Sequence, residues 1–373
     1  MLIGVPREIK DHEYRVGATP AGVHLLVAAG HAVRVETGAG STIGFHDDAY
    51  ASAGAEVVKT AQAVYASELV IKVKELQPAE YALTHAGQLL FCYQHLAPDP
   101  PLLKAMLDSK ASCIAYETVT AADGSLPLLA PMSEIAGRLS VQAAAWGLHM
   151  ANGGSGVLLS GVPGVAPGKV VIIGGGCVGT NAARVAVGIG ADVTVLEQSS
   201  ARLHLLESVF GARLKTVYCE PQALQTLVRD ADVVIGAVLV PGKLSPKLIQ
   251  RADVAAMRRG SVLVDVGIDQ GGISTTSRPT SHSNPFYVDA GVVHYCVPNI
   301  PAAVARTATL ALTHATLPYA IEIASQGLRG ALAANEGLRN GLQVHAGQVT
   351  LPHLAADVKR PYVSATRYLF ATG

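Results

Sequence analysis

The sequence is poor in charge and in cysteine, and it lacks an unbroken apolar run long enough for a bilayer. Only 15% of its 373 residues are charged, with Lys+Arg and Asp+Glu at 28 each. With no basic excess to neutralise phosphates, the chain is not expected to bind nucleic acid. Its longest apolar stretches are broken by Lys169, Arg184, Arg306, His314 or Glu322 before the roughly 18–20 residues that a span requires, so no membrane role is expected. The opening segment carries Arg7, Glu8 and Lys10 and lacks the apolar core of a secretory signal. Five cysteines (92, 113, 177, 219 and 296) form no Cys-x-x-Cys pair and no zinc spacing with histidine. They read as reduced thiols of a soluble, cytoplasmic protein that holds no metal.

What is present is apolar and small: half the residues are hydrophobic, 38 are glycine, and only 5% are aromatic. Such a composition suits closely packed α/β layers. The length exceeds what one core usually supports, so two packed units are expected. Between about 162 and 300, short β-branched runs at 169–173, 192–196, 215–218, 232–237, 261–266 and 292–297 alternate with longer amphipathic segments. That is the pattern of parallel strands joined by helices. A looser copy fills 1–130, with runs at 2–5, 32–36, 69–73, 88–93 and 112–116 and helical stretches at 19–29 and 100–108.

A helix is predicted over 132–151; after about 300 the strand pattern stops, and 301–341 reads as helical. The expected fold is therefore α/β, with two doubly wound Rossmann-like domains linked by long helices. Residues 1–130 and 301–373 would form a discontinuous substrate domain, and 131–300 an inserted nucleotide-binding domain.

Gly174-Gly175-Gly176-Cys177-Val178-Gly179 fits G-x-G-x-x-G, directly after the run 169–173 and at the head of a helical segment. Gly174 permits a tight turn, Gly176 lets backbone approach a pyrophosphate, and Gly179 allows close helix–strand packing. Glu197 ends the next strand, where a carboxylate can accept from the adenosine ribose hydroxyls and repel a 2′-phosphate. This favours NAD over NADP, and the neighbouring Arg202 softens the preference. A glycine-rich turn that packs without ligand is the alternative, made less attractive by the strand, helix and acid that surround this one.

In open parallel sheets, ligands bind beyond the carboxyl ends of the strands. Four ionisable residues lie there: Arg15, Lys74, His95 and Asp269. Lys and Arg suit a carboxylate, His exchanges protons near neutral pH, and Asp can orient a water or an amine. The set fits a small α-amino or α-keto acid, although each residue alone is as readily a structural group. Arg278 to Pro285 is dense in turn formers and reads as a structural loop.

These residues, with the segments around them, resemble the alanine dehydrogenase family along essentially the whole chain. The resemblance is carried by Gly4-Val5-Pro6-Arg7-Glu8-Ile9-Lys10, Glu13-Tyr14-Arg15-Val16, Val73-Lys74-Glu75 and His95-Leu96-Ala97. It continues in Pro131 to Arg138, the glycine turn with Asn181-Ala182-Ala183, Gly236 to Gly242, Asp265 to Gly272, and Thr313 to Tyr319. It implies reversible oxidative deamination, in which L-alanine, NAD and water give pyruvate, ammonium and NADH. Arg15 and Lys74 would bind the substrate, His95 would be the general acid/base, and Asp269 would position the attacking water or ammonia. Ser133, Val178, Val238, Leu239, Val266, Asp269, Val297, Asn299 and Ile300 would join Gly174, Gly176, Gly179, Glu197 and Arg202 around the cofactor.

The family also implies a homohexamer. Departures from its pattern are Gln94 before His95, Cys177-Val178 in the glycine turn, and Pro298-Asn299-Ile300-Pro301, the last near the expected substrate pocket. Alternative readings are another small amino acid as substrate, or an NAD-binding subunit like that of a transhydrogenase. The set Arg15, Lys74 and His95 argues against the second.

Overall fold

A computed structural model describes residues 1–238 and 244–370. The chain divides into two compact units, Met1–Pro131 with Val304–Gly373, and Met132–Ala303.

The first unit opens with six strands, β1 (Leu2–Val5), β2 (Ala32–Glu36), β3 (Glu56–Val58), β4 (Leu69–Ile71), β5 (Leu89–Cys92) and β6 (Ser112–Ala115). They are parallel, in the order β3-β2-β1-β4-β5-β6. Strand order reverses between β1 and β4, so the loops after these two strands diverge and leave a crevice beyond their carboxyl ends. The crossover helices carry ordinary start signals. Thr19 accepts from the Gly22 N–H ahead of helix Pro20–Ala28, and Asp99 accepts from the Leu102 N–H ahead of Pro100–Ser109; both helices begin with proline.

The second unit holds β7 (Lys169–Ile173), β8 (Asp192–Glu197), β9 (Lys215–Tyr218), β10 (Val233–Gly236), β11 (Val262–Asp265), β12 (Phe286–Asp289) and β13 (Val292–Tyr295). Their order is β9-β8-β7-β10-β11-β13-β12, parallel except for the antiparallel edge strand β12. Val170 and Ile172 enter one core cluster while Val171 and Ile173 enter another. The sheet is therefore covered on both faces, which is why its strands read as continuous apolar runs. Each such fully buried side chain contributes about 1.5–3 kcal/mol of hydrophobic stabilisation.

After helix Ala305–Ala334, the chain adds β14 (Leu342–His345) and β15 (Gln348–Val349) to the first sheet. Strand β14 lies antiparallel to β6, and β15 antiparallel to β14. This corrects the expectation that strands end near residue 300. Both strands are short, four and two residues, too brief for a period-two pattern to stand out after a long helical stretch. The three-residue β3 and the edge strand β12 escape sequence reading for the same reason. Among the described residues, no helix is long and apolar enough to cross a membrane.

Candidate functional site

The polar residues of the first unit gather at its strand switch point. Beneath them lies a buried ion cluster: Lys72, fully buried, reaches Glu80 Oε1 at 2.8 Å and Glu8 Oε2 at 3.2 Å, and the Tyr65 hydroxyl donates to Glu80 at 2.8 Å. The other Glu8 oxygen accepts from the Val73 N–H at 2.7 Å and the Lys74 N–H at 3.3 Å. Glu8, from the loop after β1, thus clamps the backbone that carries Lys74.

Burial opposes the charge on Lys72, but Glu8, Tyr65 and Glu80 outweigh it and hold the ammonium well above its ordinary range. Burial raises the Glu8 carboxyl against the pull of Lys72. Lys72→Met leaves buried carboxylates unpaired and is expected to cost about 3–5 kcal/mol at neutral pH. Removing the cation raises Glu8 further above its unfolded value. Stability is then lost as pH rises, so the deficit narrows on acidification. Urea unfolding followed by circular dichroism at pH 5 and pH 7 reads both effects.

Above this layer, Arg15 is 1% exposed and forks onto Glu13, Nε to Oε1 at 2.7 Å and one terminal nitrogen to Oε2 at 2.5 Å. Lys74 Nζ lies 3.7 Å from Glu75 Oε2 and 5.8 Å from the Tyr93 ring centre. His95 Nδ1 lies 3.4 Å from the same Glu75 oxygen, and its ring centre is 6.1 Å from that of Tyr93. Lys10 pairs with the other Glu75 oxygen. His95 has φ +47°, a left-handed conformation rare outside glycine, and its N–H donates to Glu117 Oε1 at 2.8 Å. Glu117 thereby holds a strained turn that keeps the imidazole half-exposed.

The fold thus brings Lys74 and His95 together around Glu75, with Tyr93 beside both. Arg15 shares the cluster through the influence of its cation on the Tyr93 hydroxyl, which burial raises overall. Sequence reading assigned no role to Glu75, Tyr93, Glu13, Glu117 or Glu8. For Glu75 and Tyr93 a signal existed: each adjoins a strand end already singled out.

In the second unit, Gly174 has φ +101°, and a Cβ on Gly179 would collide with the Gly174 carbonyl oxygen. A Cβ on Gly176 would meet nothing within 4 Å. Helix Cys177–Gly188 starts there with no side-chain cap, so the positive end of its dipole lies at the turn, as an anion requires. Glu197 Oε2 accepts from the Gly175 N–H at 2.7 Å, and Oε1 from Gln198 and Ser199 at 2.7 and 2.9 Å. The Arg202 guanidinium donates to the Gly175 carbonyl at 2.6 and 3.1 Å and to Thr180 at 3.3 Å. Acid and base thus brace the turn from two sides.

Ser133 is half-buried on helix Ala130–Gly147, one turn before Gly137, where a Cβ would strike the Val178 carbonyl. Val178, Val297 and Ile300 are buried, and Val238, Val266 and Asn299 half-buried; Leu239 lies outside the described residues. Asp269 is exposed on the short turn Ile268–Gln270, with the Asn299 N–H 3.5 Å from its Oδ2. Buried Asp265 accepts from Ile273 N–H at 2.8 Å and Ser277 Oγ at 2.5 Å, pinning the segment that follows.

Two mainly parallel α/β units, one with a dinucleotide-type turn and one with Lys, Arg and His gathered at a strand switch point, have the architecture of a two-domain oxidoreductase. Residues 4–136 match the family described as alanine dehydrogenase/PNT, N-terminal domain, and residues 140–352 its C-terminal domain. The chain belongs to the alanine dehydrogenase/PNT family. It is 53% identical to an alanine dehydrogenase of Halomonas elongata, over 98% of this chain and 99% of that protein. With one from Methanococcus maripaludis it shares 52% identity over 99% and 100%. The solved structure of an L-alanine dehydrogenase superposes with a TM-score of 0.93 at 51% identity, covering 96% of this chain and 99% of that one. A transhydrogenase from Sinorhizobium meliloti shares the fold, with a TM-score of 0.80 at 21% identity.

Proposed function

We propose that this protein catalyses the NAD-dependent, reversible oxidative deamination of L-alanine to pyruvate and ammonium. The alanine dehydrogenase reaction itself follows from identity above one half along nearly the entire chain. The observation that carries the residue assignment is the convergence of Lys74 and His95 on Glu75 at the ends of adjacent strands β4 and β5.

In this reading Arg15 and Lys74 hold the substrate carboxylate and carbonyl oxygen. Glu13 fixes the Arg15 fork, so little side-chain freedom is lost when the carboxylate docks. His95 takes a proton from water as it adds to the imine carbon, and returns one when ammonia leaves. Asp269 orients that water, or ammonia in the reverse direction.

The open space beside Gly176, the uncapped helix N-terminus and the Glu197 carboxylate fit NAD. Gly174, Gly176 and Gly179 would hold the pyrophosphate, and Glu197 the ribose. Ser133, Val178, Arg202, Val238, Leu239, Val266, Asp269, Val297, Asn299 and Ile300 complete the assignment. When bound, NAD supplies the acceptor for the hydride leaving the substrate Cα.

Absorbance of NADH with the purified protein, NAD and a panel of L-alanine, glycine, L-serine and L-lysine at alkaline pH tests the function. Turnover confined to alanine is expected. Tight NADH binding with no turnover on any amino acid would favour a transhydrogenase-like subunit instead. Glu197→Gln can still accept from Gly175 but loses the charge that repels a 2′-phosphate. The NAD over NADP preference in kcat/KM is expected to narrow by about tenfold, and an unchanged ratio would refute the ribose assignment.

The homohexamer implied by the family resemblance is part of this proposal. An apolar groove of about 350 Å³ in the second unit, lined by Leu148, Leu158, Leu159 and Ile189, supports self-association. So do Met150 and Val165 nearby, 73% and 62% exposed.

A further inference from the structure

Glu75 is a carboxylate more buried than its charge would suggest, with 10% of its side chain exposed, and three nitrogen-bearing side chains meet on it. Lys10 arrives from the loop after β1, Lys74 is its chain neighbour after β4, and His95 arrives from the loop after β5. Lys10 occupies Oε1. Oε2 is buried, makes no hydrogen bond among the described residues, and faces His95 Nδ1 at 3.4 Å and Lys74 Nζ at 3.7 Å. A buried carboxylate oxygen left without a donor is costly. Of these two donors the nearer is Nδ1 of His95, which a small ring rotation brings into hydrogen-bond reach.

We propose that Glu75 is the positioning residue for His95: it accepts the Nδ1 proton, fixes the ring tautomer, and leaves Nε2 as the atom that exchanges protons with substrate. The inference rests on the reading of His95 as the acid/base and deepens it. A neutral imidazole in water prefers its proton on Nε2, which would leave the outward nitrogen unable to accept one. An acceptor behind Nδ1 reverses that preference and also stabilises the imidazolium once Nε2 has taken its proton. The same oxygen keeps the Lys74 ammonium beside the ring, so one carboxylate sets the spacing between the substrate-binding cation and the proton-transfer group.

The charged and titratable groups facing His95 are Glu75 and Lys74 after β4, Glu117 at its backbone N–H after β6, and the Tyr93 ring on its own segment. Lys10 stands behind Glu75. Burial raises the Glu75 carboxyl, but His95, Lys74 and Lys10 together override it and hold the group well below the usual carboxylate range. It is therefore ionised throughout the pH range of the reaction.

The test is the pH profile of kcat/KM for alanine oxidation in wild type, Glu75→Gln and Lys10→Met, with His95→Ala run alongside and NADH binding followed by fluorescence. Glu75→Gln removes the anion behind the ring; the acid limb should move to lower pH by about one unit, and kcat should fall on the order of a hundredfold. Lys10→Met strips a cation from the same carboxylate and should move the limb the opposite way. A merely structural role would lower activity without displacing the limb.

If His95→Ala is inactive while Glu75→Gln keeps the wild-type limb and kcat within threefold, this inference falls and the assignment of His95 stands. If His95→Ala remains active, both fall. Should Glu75→Gln lose NADH binding through misfolding, the ¹⁵N spectrum of wild-type histidines, assigned against His95→Ala, decides. A neutral His95 protonated on Nδ1 supports the inference, and one protonated on Nε2 overturns it.

Discussion

Replacing His95 with alanine is expected to lower kcat for alanine oxidation by about 10²–10⁴-fold, the usual worth of a positioned acid/base group, while NADH affinity changes by less than about threefold. The two effects should separate because of where the groups lie. His95 follows β5 in the first unit, whereas the glycine turn, its helix and Glu197 all belong to the second. Its loop is anchored through the backbone, where the N–H groups of Gln94 and His95 both donate to Glu117, so truncating the ring leaves that anchor in place. Loss of NADH binding along with turnover would mean that the loop itself had collapsed. Retention of activity within tenfold would remove His95 from the chemistry.

Asp269→Asn is expected to reduce kcat on the order of a thousandfold, about 4 kcal/mol of transition-state stabilisation, with a smaller change in KM for alanine. The substitution preserves shape and one acceptor oxygen but removes the negative charge that favours proton-bearing nitrogen or polarised water at the attacked carbon. The surrounding segment should keep its position, because Asp265 holds residues 273 and 277 independently of position 269. Steady-state kinetics in both directions read the effect. A loss below tenfold in either direction would show that Asp269 does not orient the nucleophile.

Much of this protein was legible before its coordinates. Every strand expected from β-branched runs is present, several of them a residue or two shorter than the apolar run. The glycine turn was readable because its determinants are local: Gly174 at positive φ, Gly179 against the Gly174 carbonyl, and Glu197 one strand later. Arg15, Lys74, His95 and Asp269 could be singled out as candidates because a strand end is a position along the chain, and the fold gathers Lys74 and His95 around one carboxylate.

The supporting shell was not readable in this way. Glu8 sits 65 residues from the amide it clamps at Val73, and Glu117 is 22 residues from the His95 N–H that it accepts. A lone Glu in a sequence does not announce its donor.

The sequence by itself therefore determined the elements, the class of each unit and the chemical types at the strand ends, because periodicity, turn chemistry and β-propensity act over a few residues. Only the tertiary structure decided which of those ends are neighbours. The order β3-β2-β1-β4-β5-β6 sets the loops of β1, β4 and β5 side by side, so that Lys10, Lys74 and His95 share one carboxylate. It likewise returned β14 to the edge at β6 and made the first unit discontinuous. Strand pairing and ion clusters of this kind are contacts between distant segments, favoured by burial and electrostatics that exist only once the sheet has formed.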